Sequence, residues 1–126
     1  MEYLTAEHIK AIHDDVINDN ELQGEAPQKS IEAIIDRIVN RMNYGLINDI
    51  FDLAACYGAY IAIGHAFNDA NKRTAFAAMN IILARTNVTL SYNTYETEEA
   101  GDMIIKIVLK HIDEKDLANW LRKIAN

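Results

Sequence analysis

Ten consecutive residues, Gly64 to Arg73 (GHAFNDANKR), hold a histidine, a carboxylate and two adjacent cations. A solvated corner needs Asn, Asp or Gly, but it has no use for His65, Phe67, Lys72 and Arg73 as well. His65 is suited to taking a hydroxyl proton, because an unperturbed imidazole titrates at ~6.5. Asp69 follows four residues later. Magnesium accompanying a nucleotide takes one or two carboxylates and keeps several waters, so one aspartate beside a phosphate cradle is enough. Asp69 fits an N-cap or an Asx turn equally well, and spacing does not separate these uses.

The run from Asn71 to Arg73 opens an apolar segment that reads as a helix. The first backbone N–H groups of a helix lack intrahelical acceptors and attract anions. Cations are ordinarily disfavoured there by the positive end of the helix dipole. A bound phosphate resolves that conflict, with Arg73 offering a two-pronged fork and Lys72 a mobile point charge. Pairing with Asp69 or a neighbouring acid resolves it too. Phe67, between base and anion, is expected to point inward and anchor the loop.

The elements that must position these groups are read from apolar spacing. Thr5 caps a first helix with Ile9, Ile12, Val16 and Ile17 on one side. The stretch NDNELQGEAPQ is a loop punctuated by Gly24 and by Pro27, the only proline. From Ser30, residues Ile31, Ile34, Ile35, Ile38 and Met42 mark a second helix. Asn48 is the expected cap of a third, which carries so little polar surface that other helices must surround it. TAFAAMNIILAR makes a fourth, whose alanines permit close packing. The third and fourth helices form a central hairpin with the polar motif at its surface end.

TNVTLSYNTY has strand-favouring Val88, Leu90 and Tyr92 and is read as a short extended excursion. A fifth helix is expected to bury Ile104, Ile105, Val108 and Leu109. Asp113 and Asp116 form a carboxylate version of a capping box, opening a sixth helix with Leu117, Trp120, Leu121 and Ile124. The fold class is therefore all-α, six helices in one domain over residues 1–126.

The 126 residues suffice for one core. A formal charge of −7 makes nucleic acid an unexpected direct partner. No apolar run is long enough to span a bilayer and no signal-peptide core opens the chain, so a cytoplasmic protein is expected. Cys56 is the single cysteine and reads as a small buried hydrophobe; it excludes an intrachain disulfide and a thiolate zinc cluster. His8, His13 and His111 are scattered, without metal-ligand spacing, and read as capping or structural residues.

GHAFNDANKR is similar to the Fic/Doc signature, His-x-Phe-x-Asp/Glu-Gly/Ala-Asn-Gly/Lys-Arg. The ending Ala70-Asn71-Lys72-Arg73 resembles the Doc branch, the death-on-curing toxins of bacterial and phage toxin–antitoxin pairs. Size and helix order extend the resemblance over essentially the whole chain. It implies a compact helical fold, with His65 as catalytic base, Phe67 as core anchor, Asp69 at the magnesium ion, and Asn71 and Arg73 on nucleotide phosphates.

Lys72 stands where adenylyltransferases of the family have glycine, and Phe76 where their pattern has a second arginine. Both departures point to a reoriented nucleotide. The resemblance thus implies a kinase using ATP and Mg²⁺ to phosphorylate a threonine of elongation factor Tu and halt translation. It also implies a small antitoxin whose tail folds as a helix on the toxin; the apolar faces of the first two helices and their loop are the expected groove. AMP transfer to a protein hydroxyl and a non-catalytic binding module remain as alternatives. RNA cleavage is disfavoured by the acidic chain and the lack of a second general acid paired with His65.

Overall fold

The computed structural model describes residues 3–88 and 94–125, and of residues 94–97 the backbone alone. Six helices follow one another: α1 (Ala6–Val16), α2 (Ile31–Asn43), α3 (Ile50–Gly64), α4 (Asn71–Arg85), α5 (Thr94–Val108) and α6 (Glu114–Ile124). The protein is all-α, without a sheet among the described residues. No described helix is long and apolar enough to cross a membrane.

Local chemistry sets the helix ends. Thr5 accepts from His8 N–H while the His8 ring accepts from Thr5 N–H, a reciprocal capping box. Ser30 caps α2, and Asp113 with Asp116 builds the expected box at α6. The cap of α3 is Asp49 rather than the expected Asn48. Its carboxylate accepts from Asp52 N–H at 2.9 Å, while Asn48 N–H donates to the Asp52 side chain. At the other ends, Gly45, Asn87 and Lys110 turn left-handed. The next N–H then reaches back to Arg41, Leu83 or Lys106, closing α2, α4 and α5 with Schellman turns.

Helix α3 is buried along nearly its whole length, with Leu53, Ala54, Ala55, Tyr57, Ala59 and Ile61 in the core. It lies against α4, where Ala75, Ala78 and Met79 are buried and where a Cβ on Gly58 would overlap the Met79 side chain. Cys56 is buried as expected, and burial pushes its thiol up to about 11. Two expectations about packing change. In α5 Ile104 is buried as expected and Val108 packs against the core, but Ala100 and Ile107 complete the inner face while Ile105 and Leu109 are exposed. Apolar residues on both sides of the helix hide which ones turn inward.

The apolar faces of α1 (Ala6, Ile9, Ile12) and α2 (Ile31, Ile34, Ile35, Ile38) are spent on the core. They are therefore not the expected partner groove. The extended excursion around Leu90 and Tyr92 lies outside the described residues; Val88 packs against the core without forming a strand.

The N-terminal arm is fixed by Tyr57, fully buried, whose hydroxyl donates to the Leu4 carbonyl at 2.5 Å. Tyr57→Phe leaves that buried carbonyl unpaired. It is expected to lower unfolding free energy by about 1–3 kcal/mol in urea titration, with little change of slope.

Candidate active site

The motif spans the α3–α4 turn, which is bent by two left-handed residues. His65 ends α3 at φ 47, ψ 46, and Ala70 precedes α4 at φ 68, ψ 24. Neither is glycine, so both positions carry backbone strain that the surroundings must hold. Between them Phe67 turns into the core, only 3% exposed.

The loop between α1 and α2 lies along this turn. Ala26 N–H donates to Ala66 C=O at 2.8 Å, and Asn68 N–H to Gly24 C=O at 3.0 Å, an isolated antiparallel bridge centred on Glu25 and Phe67. The Asn68 side chain adds a bond to the Gln23 carbonyl at 2.9 Å. Asn71 closes the turn from inside: its amide accepts from Phe67 N–H at 3.1 Å and donates to Phe67 C=O at 2.9 Å. With both ends engaged, the Asn71 side chain shapes the loop.

Asp69 is not the N-cap of α4; that place belongs to Ala70, which gives no side-chain cap. One Asp69 carboxylate oxygen accepts from Leu22 N–H at 2.8 Å, and its carbonyl lies 2.8 Å from His13 Nε2. The other carboxylate oxygen, Oδ1, has no hydrogen bond among the described residues. No three His, Cys, Asp or Glu side chains gather as a metal site among those residues. A lone carboxylate with a free oxygen fits magnesium brought in with phosphates, and does not fit a metal held by protein alone.

The first intrahelical bond of α4 runs from Thr74 N–H to Ala70 C=O, so the N–H groups of Asn71, Lys72 and Arg73 point out of an uncapped helix end. Lys72 is exposed and forms no ion pair among the described residues. Arg73 is held differently: it donates to Val16 C=O at 2.8 Å and pairs with the Glu21 carboxylate. His65 is exposed and has no hydrogen-bond partner among the described residues. His65, Asp69, Asn71, Lys72 and Arg73 thus lie on one continuous turn, three of them (Asp69, Asn71 and Arg73) already engaged by other residues.

The Arg73 hydrogen bond holds the Glu21 carboxyl below the usual glutamate range. Because the folded-state value is depressed, the pair stabilises the fold above the ordinary glutamate pKa and is lost as pH falls through the lower, folded value. Exposure keeps the effect small. The acid limb of thermal stability against pH is expected to differ slightly between the protein and Glu21→Gln, and the difference should vanish at the lowest pH.

Sequence reasoning missed Glu21, Leu22 and the Val16 carbonyl as neighbours of the motif. The one signal for Glu21 was the electrostatic misfit of two cations at a helix N-terminus, which asks for a nearby acid without saying which.

The Fic/DOC family profile matches residues 3–83, spanning α1 to nearly the end of α4. The chain belongs to the Fic/DOC family. Within it, the chain is 32% identical over 125 residues to the protein kinase doc of Escherichia phage P1, a match covering 98% of this chain and 96% of that protein. That full-length similarity makes it a Doc-branch Fic/DOC protein. The Fic/DOC match also takes in the loop over residues 18–29 that braces the motif.

Beside Lys72 and Arg73 the Fic/DOC chain has an open, mostly apolar groove of about 420 Å³ between α4, α5 and the end of α1. Val16, Phe76, Ala77, Ile104 and Ile105 line it. Gly101 adds no side chain to it.

Proposed function

We propose that this protein is a toxin-type protein kinase that moves the γ-phosphate of ATP to a threonine hydroxyl of a translation factor, elongation factor Tu being the expected target. The observation that carries this reading is the single turn that sets an exposed, unengaged His65 beside an uncapped, doubly cationic helix N-terminus. That the P1 relative is a protein kinase supports phosphate as the transferred group.

In such a transfer the protein chiefly positions groups and stabilises charge. The threonine oxygen forms a bond to the γ-phosphorus and the bond from that phosphorus to the bridging oxygen of ADP breaks. His65 accepts the threonine proton. The α4 N–H groups, Lys72 and Arg73 hold phosphate oxygens, and Asn71 keeps the loop in shape from below. Asp69 would hold magnesium through its free oxygen, and the ion supplies charge neutralisation on the phosphates. For a phosphate to take the Arg73 fork, the Glu21 carboxylate must give it up.

A small antitoxin is the proposed restraining partner. The groove beside Lys72 and Arg73 suits an amphipathic helix with acidic residues along one edge, because its floor is apolar and its rim cationic. All these roles are proposed for one domain acting in the cytoplasm.

Mass spectrometry of elongation factor Tu incubated with the protein, ATP and magnesium tests the reading. One added phosphate on a threonine is expected. An added AMP would instead make the protein an adenylyltransferase and overturn the roles given to Lys72 and Phe76. An unchanged mass would remove elongation factor Tu as target.

A further inference from the structure

We infer that His13 is a positioning residue for the motif, gripping the loop at two points so that Asp69 and the start of α4 keep their places. The inference concerns the same site and, for its functional consequence, rests on the kinase reading above.

His13 lies in the last turn of α1, fifty-six residues from the loop in sequence, and is 2% exposed. Its ring stacks on Phe67 with centroids 3.8 Å apart and planes within 8°. Its Nε2 lies 2.8 Å from the Asp69 carbonyl oxygen. A carbonyl only accepts, so Nε2 carries the proton and donates. The remaining nitrogen, Nδ1, lies 3.9 Å from an Asp14 carboxylate oxygen, beyond hydrogen-bonding reach.

Packing alone does not call for this residue. Leucine or phenylalanine would fill the space without burying two polar nitrogens, which is unfavourable unless they are bonded. Imidazole gives Phe67 a flat face to stack on, which leucine would lose, and gives the carbonyl two residues on a donor, which both would lose. Residues 67 and 69 are thereby fixed relative to α1, and Ala70 follows at once in its left-handed conformation. A strained turn persists only where its surroundings over-determine it. Asp69 is held at its carbonyl by His13 and at its carboxylate by Leu22 N–H, leaving little freedom for the oxygen that would meet a cation.

Two variants separate the grips. His13→Phe keeps the stack and loses the donor; His13→Gln keeps a donor and loses the stack. The first readout is native-state hydrogen exchange at the Phe67 and Asn68 amides, which donate to Asn71 Oδ1 and Gly24 C=O, against core amides of α3. The second is Mg·ATP affinity by calorimetry.

His13→Phe is expected to speed exchange in the loop about tenfold, the equivalent of one lost hydrogen bond, with α3 unchanged. Mg·ATP affinity should fall by a similar factor, and His13→Gln should restore part of both. Unchanged loop exchange in His13→Phe, or equal acceleration in loop and α3, would overturn the inference and leave His13 a core residue. Should His13→Phe not fold, His13→Leu, which loses both grips, replaces it: faster loop exchange with α3 unchanged supports the grip, and unchanged loop exchange refutes it. Exchange needs no activity. A wild-type protein that fails to bind Mg·ATP would therefore sink the kinase reading while the exchange data still judged His13.

Discussion

His65→Ala is expected to lower phosphate transfer by about 10²–10⁴-fold while leaving Mg·ATP affinity and thermal stability nearly unchanged. The separation follows from where the side chain sits. His65 is exposed and without a hydrogen-bond partner among the described residues, so removing it disturbs no packing and no network. Its backbone is left-handed, a conformation histidine bears better than alanine, so a small loss of stability accompanies the alanine variant. His65→Asn makes the better control, since asparagine tolerates that conformation and keeps a polar side chain without an imidazole base. Single-turnover transfer to the target, read beside calorimetry, checks both variants. Transfer at the wild-type rate in His65→Asn would remove the histidine from the chemistry.

Arg73→Ala is expected to weaken Mg·ATP binding on the order of 10²-fold, because a fork making charge-assisted bonds to phosphate is lost. Stability should barely move. The contacts it breaks, the surface pair with Glu21 and the exposed bond to the Val16 carbonyl, each contribute little. Lys123→Ala, on the last turn of α6, serves as the charge control and should leave binding alone. Glu21→Gln tests the other side of the same contact. It removes the carboxylate that phosphate must displace, so binding should be kept or tightened. Weaker binding in Glu21→Gln would mean that Glu21 holds Arg73 in place for the nucleotide rather than competing with it.

What the sequence disclosed, and what it withheld, divides by distance along the chain. Caps at Thr5 and Asp113 were legible because the partners lie three residues away. The apolar stripes of α1 and α2 were legible because one face of each is apolar and the other charged. At α5 that contrast is weak: Ile104 and Val108 are inward as expected, while Ile105 and Leu109 face solvent. Asn48 and Asp49 are both good caps, and only backbone geometry chooses between them. The candidate site shows the same division. Its own turn, with Phe67 inward and Asn71 to Arg73 opening α4, could be read directly. The contacts from His13, Val16, Glu21 and Leu22 could not, since each crosses a long stretch of chain that no local pattern reports.

The motif is therefore not a portable cassette. Residues 64–73 transplanted onto another two-helix hairpin would bring the imidazole, the carboxylate and the cations, but not the frame. Left behind would be the His13 ring beneath Phe67, the Val16 carbonyl on Arg73 and the bridge from Glu25 to Phe67. The two left-handed residues would then relax, and the graft would keep its letters and lose its geometry. A working transplant must carry α1 and the loop that follows it, and with them the Tyr57 hydroxyl that ties down the arm at Leu4.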